Sequence, residues 1–342
     1  MSLDSARRRE LTGLIDRVVE NFGWNRLSEG MAVLPGSESV LTGPGSMVFD
    51  IDGVLVDTRQ SFREVIPMAV QFYLEKILRK DGNEKLLNTA QGDAFKKCGG
   101  FNNDWDISEA GLIYALWGLH ESGSAPSLES FQQKITSTNG GLDGARSVLK
   151  EVAGQRVTSE VLSDVERPLL ERIFKELYVG GWRFRELFGE DPLYHFGPGL
   201  MERENLLVDE EFIKWVGRFP TGIFTGRIPQ ETAAVIDSLN LTGENSPDCI
   251  VSMDGVFPTK PDPAGLVHIA TEIKARPLLY FGDNRDDLET LLGARRQLRQ
   301  DDLHFVYCLT GAADLESADW FASSGAGMMV VELKEIQQVM EL

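Results

Sequence analysis

The chain of 342 residues has only three cysteines and four histidines, and its basic residues are outnumbered by its acidic ones, 34 against 53. Cys98, Cys249 and Cys308 are odd in number and far apart, with no Cys-x-x-Cys spacing and no clustered histidine. That pattern excludes a disulfide framework and a zinc site of the usual spacing, and points to a reducing cytoplasm. No apolar run approaches the roughly 18 residues of a membrane span, and no signal-like apolar segment stands at the N-terminus, so neither a span nor secretion is expected. The formal charge of −19 repels nucleic acid and anionic membranes, and no basic block offsets it. An anionic substrate would have to be captured by a metal and a few local Lys or Arg, against the overall field. Internal repeats and low-complexity tracts are also missing.

What remains is a soluble composition, 42% hydrophobic and 25% charged, long enough for two domains. Leu11, Leu14, Ile15, Val18, Val19 and Phe22 recur at helical spacing, predicting an amphipathic helix from Asp4 to Phe22 with Arg7, Arg8 and Arg9 on a solvated face. Asn25 to Ser46, rich in Gly, Ser and Pro, reads as a surface linker. From 61 to 199 the pattern is helical throughout: Ser61 to Lys80, Ser108 to Ser122, Ser127 to Ser137, Ala145 to Gly154 and Ser159 to Val179. Ser61, Ser108 and Ser127 are N-cap candidates, and Pro168 kinks or restarts the last helix. After Leu206 helices alternate with strands at Thr221 to Thr225, Cys249 to Val251, Leu278 to Phe281 and His304 to Leu309. Such alternation predicts a parallel sheet covered on both faces, with Met47 to Asp50 as a further strand. The expected division is an N-terminal helix and linker over 1–45, an α/β core over 46–60 and 200–342, and a helical module over 61–199.

Chemistry-bearing residues stand where these strands end. In Met47-Val48-Phe49-Asp50-Ile51-Asp52-Gly53, an apolar run delivers two carboxylates and then a glycine, and ligands of open α/β sheets sit beyond such carboxyl ends. Two carboxylates two residues apart repel unless a cation lies between them or one holds a proton, which implies metal binding or acid/base work; a solvated turn is the bland alternative. Gly222-Ile223-Phe224-Thr225-Gly226-Arg227 ends a second strand in a hydroxyl, fit either to donate to a phosphoryl oxygen or to cap the next helix. Thr259-Lys260-Pro261-Asp262-Pro263 holds a lysine before a helix, either solvated or preset as a point charge for a phosphoryl group and nearby carboxylates. In Leu279-Tyr280-Phe281-Gly282-Asp283-Asn284-Arg285-Asp286-Asp287, one helical turn can bring Asp283 and Asp287 near one point. Those oxygens suit magnesium, while Asp286 and Asp287 also compensate a helix N-terminus.

In order and spacing, the four stretches resemble the motifs of the haloacid dehalogenase superfamily of phosphotransferases and phosphatases, beginning with Asp50-Ile51-Asp52-Gly53-Val54-Leu55-Val56-Asp57-Thr58. The resemblance covers Met47 to Asp57 and Gly222 to Ala294. The helical insert is similar to the cap type of the subfamily that includes phosphoglycolate phosphatase and β-phosphoglucomutase. What the resemblance implies is an α/β, Rossmann-like parallel-sheet core with an inserted all-helical cap. It also implies a Mg2+-dependent phosphatase that hydrolyses a small-molecule phosphate monoester through an aspartyl-phosphate. Asp50 would be the nucleophile and Asp52 the acid and then the base. Thr225, Gly226 and Lys260 would hold the phosphoryl oxygens. Asp50, the Asp52 carbonyl and Asp283 would bind the metal, with Asp287 supporting or alternating.

A phosphomutase would use the same four motifs and differ in how its cap excludes water. A non-catalytic binding protein would be expected to have lost one of Asp50, Asp52, Lys260 or Asp283, and none is lost. Leaving-group contacts are expected from Lys96 to Asp106, whose Asn102, Asn103 and Trp105 offer amides and an indole; the same stretch reads equally as a polar interhelical loop.

Overall fold

A computed structural model describes residues 3–43, 45–80, 87–96, 98–101, 103–120, 125–138, 140–243, 246–311 and 313–341. The chain divides into two compact units, one formed by 1–57 and 205–342 and the other by 58–204.

The first unit opens with helix α1 (Ser5–Phe22). Asp4 accepts from the amides of Ala6 and Arg7 at its start, and Gly23 closes it in the left-handed conformation at φ 69°, a backbone state that costs glycine least. Strands β1 (Asn25–Ser28) and β2 (Met31–Val33) then form an antiparallel hairpin, followed by β3 (Ser46–Phe49) and the short β4 (Val56–Asp57). Asn25 to Val33 is therefore sheet and not surface linker: β2 pairs with a strand from the far end of the chain, a partner that local composition cannot reveal.

The second unit is helical. It comprises α2 (Phe62–Phe72) with a π-helical extension to Ile77, α3 (Thr89–Lys96), α4 (Asp104–His120), α5 (Leu128–Ser137), α6 (Gly141–Ser163, kinked at Gly154), α7 (Arg167–Val179) and α8 (Gly181–Phe188). Ser127 caps α5, accepting from the Ser130 amide. Ser108 is no cap: α4 begins a turn earlier, where Asn103 accepts from the Asp106 amide at 2.8 Å, and the Ser108 hydroxyl donates back to the Asp104 carbonyl. Ser61 does occupy the N-cap position of α2, but its hydroxyl goes to the Thr58 carbonyl and to Glu204 in place of a capping bond. Pro168 opens α7, where its missing N–H costs nothing.

Back in the first unit come β5 (Asn205–Leu206), α9 (Glu210–Val216), β6 (Thr221–Phe224), α10 (Pro229–Ser238), β7 (Cys249–Val251), α11 (Ala264–Ile273), β8 (Leu278–Gly282), α12 (Arg285–Leu298), β9 (Leu303–Cys308), α13 (Leu315–Ser324), β10 (Met328–Val330) and α14 (Lys334–Met340). The main sheet runs β1-β2-β10-β9-β8-β3-β6-β7, parallel from β10 to β7 and extended at one edge by the antiparallel hairpin. The chain thus has an α/β, Rossmann-like parallel-sheet core with an inserted all-helical unit.

Strand β3 lies between β8 and β6, with Phe49 level with Phe281 on one side and Ile223 on the other. The residues that follow these three strands are consequently brought to one edge of the sheet, which is where a site forms. On one face, Leu11, Leu14, Ile15 and Val18 of α1 share a buried cluster with Val48, Tyr280, Phe305 and Phe321. The polar side of α1 is held too. Arg8 donates to Glu332 and, at 2.6 Å, to Glu335, while Arg17 meets Asp319 through two bonds of 2.6 Å. Arg8 is a tether to the last helix and not part of a solvated face.

Because Ile15 is fully buried in that cluster, Ile15→Ala should cost about 2–5 kcal/mol of unfolding free energy, the usual range for deleting a buried branched side chain. Urea unfolding measures it. A loss below about 0.5 kcal/mol, the level of a surface substitution, would mean that α1 does not belong to the core.

Candidate active site

Asp50 is the first residue beyond β3. It is nearly inaccessible, its amide donates to the Phe281 carbonyl at 2.9 Å, and its Oδ1 accepts from the Ile51 amide at 2.8 Å. Lys260 enters from the connection between β7 and α11, with Nζ 3.1 Å from Asp50 Oδ1 and 2.7 Å from Asp287 Oδ1. The rings of Phe224 and Tyr280 flank the ammonium at 5.1 and 5.7 Å. Lys260 is accordingly a buried counter-ion and not a solvated loop lysine. Burial opposes its charge, yet Asp287 and Asp50 outweigh that and raise its pKa.

Asp287 sits in the first turn of α12 and each of its oxygens is committed twice. Oδ1 accepts from Lys260 and from the Tyr280 hydroxyl, both at 2.7 Å; Oδ2 accepts from the amides of Asp283 and Asn284 at 3.1 and 3.3 Å. The Asn284 side chain completes a reciprocal cap with Asp287. Capping and site construction are thus performed by the same carboxylate.

Asp283 retains partial access to solvent and fits a slot between two glycines. A Cβ on Gly53 would lie 2.2 Å from its Oδ2, and one on Gly311 only 1.9 Å away. Gly53 is also left-handed, at φ 72°, where the chain turns after the paired acids. Thr310 fixes that turn, donating its hydroxyl to the Gly53 carbonyl at 2.5 Å.

Asp52 points elsewhere than Asp50. Its Oδ1 accepts from Arg227 Nε at 2.9 Å and Nη2 at 2.6 Å. Thr225, just beyond β6, is buried, and its Oγ1 accepts from the Arg227 amide at 3.2 Å. The capping role open to Thr225 is not taken, since Ile228 occupies the N-cap position of α10. Gly226 follows with open space where a Cβ would be.

Negative charge exceeds positive here. Burial first, and then the neighbouring Asp287, Asp52 and Asp283, hold the Asp50 carboxyl well above its ordinary range, against the pull of Lys260. Burial together with Asp287 and Asp52 pushes Asp283 up to about 7. Asp50, Asp283 and Asp287 each offer an oxygen, all within 4.8 Å of one another. An all-oxygen donor set with surplus negative charge fits a hard divalent cation.

Asn103 and Trp105 belong to the helical unit. Asn103 is engaged as the cap of α4, and the Trp105 ring lies 4.8 Å beneath the Lys175 ammonium. Asn102 and Lys97 lie outside the described residues. Sequence reasoning passed over Arg227, Tyr280, Thr310 and Gly311. The available signals were an arginine immediately after Thr-Gly at a strand end, and a tyrosine in an apolar strand, which needs a buried partner for its hydroxyl.

Acids and one lysine collected at the ends of neighbouring parallel strands, in a chain interrupted by a helical insert, define an α/β enzyme. The chain belongs to the haloacid dehalogenase-like hydrolases, whose family profile matches residues 46–295. Among solved structures it is similar to phosphatase Tt82 from Thermococcus thioreducens, at 22% identity and a TM-score of 0.57, covering 82% of this chain and 100% of that one. A Northeast Structural Genomics Consortium target is similar at 16% identity and a TM-score of 0.60, covering 87% and 98%. At these identities the likeness is one of fold. No curated protein matches the chain. Among the described residues, no helix is long and apolar enough to cross a membrane.

The Asp283 shift carries a sign that can be measured. With its folded value near 7 against an ordinary 3.8, the folded chain holds a proton that the unfolded chain has released between those limits. Asp283 therefore stabilises the metal-free protein least above pH 7, and its contribution falls as pH rises from 4 to 7. Asp283→Asn, which cannot titrate, should gain stability relative to the parent across that window when both are unfolded in chelator. A difference that stays flat, or moves the other way, would mean that Asp283 is ionised throughout.

Proposed function

We propose that the chain is a magnesium-dependent phosphatase that hydrolyses a small phosphorylated metabolite through an aspartyl-phosphate on Asp50. The observation that carries this reading is the buried carboxylate of Asp50 beyond the central strand, 3.1 Å from the Lys260 ammonium. Asp52 stands two residues on, and Thr225 ends the neighbouring strand. Asp50 and Asp283, with the Asp52 carbonyl, are the donors for magnesium, which when bound neutralises charge on the phosphoryl oxygens and between the carboxylates. Asp287, with both oxygens already engaged, serves by fixing Lys260 and the backbone at Asp283.

The protein's own groups then divide the work. With Oδ1 held by the Ile51 amide and Lys260, Asp50 attacks phosphorus through Oδ2. As that bond forms, the bond to the leaving oxygen breaks with its electron pair on oxygen, which takes a proton from Asp52. In the second half, water bonds to phosphorus, Asp52 takes its proton, and the acyl-phosphate bond breaks to return the pair to Asp50. Lys260 donates to the transferring oxygens. Thr225 can do so as well, because Oγ1 acts as acceptor toward the Arg227 amide and keeps its own proton to give. Positioning and charge stabilisation of this kind supply most of the rate in phosphoryl transfer.

None of these groups can recognise what is attached to phosphorus, so the reading assigns choice of substrate to the helical unit acting as a cap.

With magnesium, 4-nitrophenyl phosphate should be hydrolysed, and chelation should stop the reaction. Asp50→Asn should lower kcat by at least about 10³-fold, as removal of a nucleophile does, and abolish the acid-quenched phosphoenzyme. Asp52→Asn should instead let that intermediate accumulate. Undiminished turnover after exhaustive chelation, or full activity of Asp50→Asn, would remove the reading.

A further inference from the structure

Arg227 is buried more completely than a surface ion pair requires. Its side chain is 1% exposed, whereas the Asp52 carboxylate that it holds is 33% exposed. Guanidinium cannot shed its charge, so taking it out of water is costly and needs a return. The residue is also fixed at its backbone: its amide donates to Thr225 Oγ1 at 3.2 Å, and its carbonyl accepts from the Met253 amide at 2.9 Å. From that anchored position, one edge of the planar fork delivers Nε and Nη2 to a single oxygen, Asp52 Oδ1, at 2.9 and 2.6 Å. Two bonds from a rigid edge to one oxygen define the rotation of the carboxylate, which a lysine's single point charge would not.

We propose that Arg227 is the positioning residue for Asp52, fixing its carboxylate through Oδ1 so that Oδ2 faces the reacting phosphoryl group. This deepens the phosphatase reading above and rests on it. In the first half-reaction the Oδ2–H bond breaks and its proton passes to the leaving oxygen, as the electron pair of the P–O bond moves onto that oxygen. In the second, Oδ2 takes a proton from the water whose oxygen is bonding to phosphorus. Arg227 keeps its protons throughout and acts only through the orientation of Asp52. Its loss should therefore be felt in proportion to how much the leaving group needs a proton.

The test uses the full chain with magnesium and a series of aryl phosphates, from 4-nitrophenyl, which leaves without help, to phenyl, which does not. Parent, Arg227→Lys and Arg227→Met are compared, each also in an Asp52→Asn background. Arg227→Met should lower kcat/KM for phenyl phosphate by about 10²-fold, the lower end of what a placed acid supplies, while 4-nitrophenyl phosphate loses less than about tenfold. Arg227→Lys should fall between Arg227→Met and the parent. Competitive inhibition by inorganic phosphate should be unchanged, and phosphoenzyme formed from 4-nitrophenyl phosphate should accumulate because its breakdown has lost an aligned base. In the Asp52→Asn background, substitution of Arg227 should add no further dependence on leaving group, since residues acting as a unit are not additive.

Equal losses along the series, weakened inhibition by phosphate or full additivity with Asp52→Asn would overturn the proposal, because each marks an arginine that binds phosphate or merely supports the fold. Should Arg227→Met fail to fold, the ratio of phenyl to 4-nitrophenyl efficiency in Arg227→Lys decides by the same criterion. A parent that hydrolyses nothing with magnesium overturns the phosphatase reading and this proposal together. An active parent with uniform losses in the variants overturns this proposal alone.

Discussion

Lys260 stands between the carboxylates of Asp50 and Asp287, at 3.1 and 2.7 Å, with the rings of Phe224 and Tyr280 at 5.1 and 5.7 Å. A buried ion pair of this kind is seldom a net source of stability, but removing one member leaves a desolvated charge at a cost of about 3–5 kcal/mol. The surrounding structure follows from that constraint. Tyr280 is spent on Asp287, the first turn of α12 is aimed at the same carboxylate, and Asp283 is tucked where two missing Cβ atoms leave room. One ammonium cannot balance the acids gathered here, which is why burial drives the Asp50 and Asp283 carboxyls upward together.

The sheet makes this convergence possible. Asp50, Thr225 and Asp283 are separated by up to 233 positions in sequence (283 − 50), yet each directly follows one of three adjacent parallel strands whose registers coincide at Phe49. At the far edge, the sheet is lengthened by the hairpin of β1 and β2, whose Ser28 donates to Glu335, the carboxylate that Arg8 of α1 also reaches. Residues 31–33 and 328–330 are in this way neighbours in one sheet.

Much of the fold was legible because parallel strands buried on both faces announce themselves as short apolar runs, and the acids end those runs. Val48, Ile223 and Leu279 needed no partner to be read as strand. Residues whose role is set by something distant were not legible. Met31 to Val33 is three residues long and joins the main sheet by pairing with Met328 to Val330. Arg8 looks solvated until residues more than 300 positions away supply its acids. Ser108 reads locally as the cap of α4, but Asn103 takes that place, exchanging bonds with Asp106 three residues on. Arg227 was quoted within its motif, but nothing short of the folded turn tells that it faces Asp52 and not solvent.

Strands β4 and β5 hold one further consequence. Val56 pairs with Leu206 and Asp57 with Asn205, and the Leu207 amide reaches the Leu55 carbonyl at 2.9 Å, so the two points where the chain departs for residues 58–204 and returns are laced side by side. For the rest of the molecule, those residues are a loop already closed at its root. Closure entropy grows so slowly with length that doubling such a loop costs only about 0.6 kcal/mol. A lineage can therefore lengthen, trim or exchange this segment by recombination while the acids on the sheet keep their places. Two short rungs of backbone separate changes in the length of the insert from the placing of the acids.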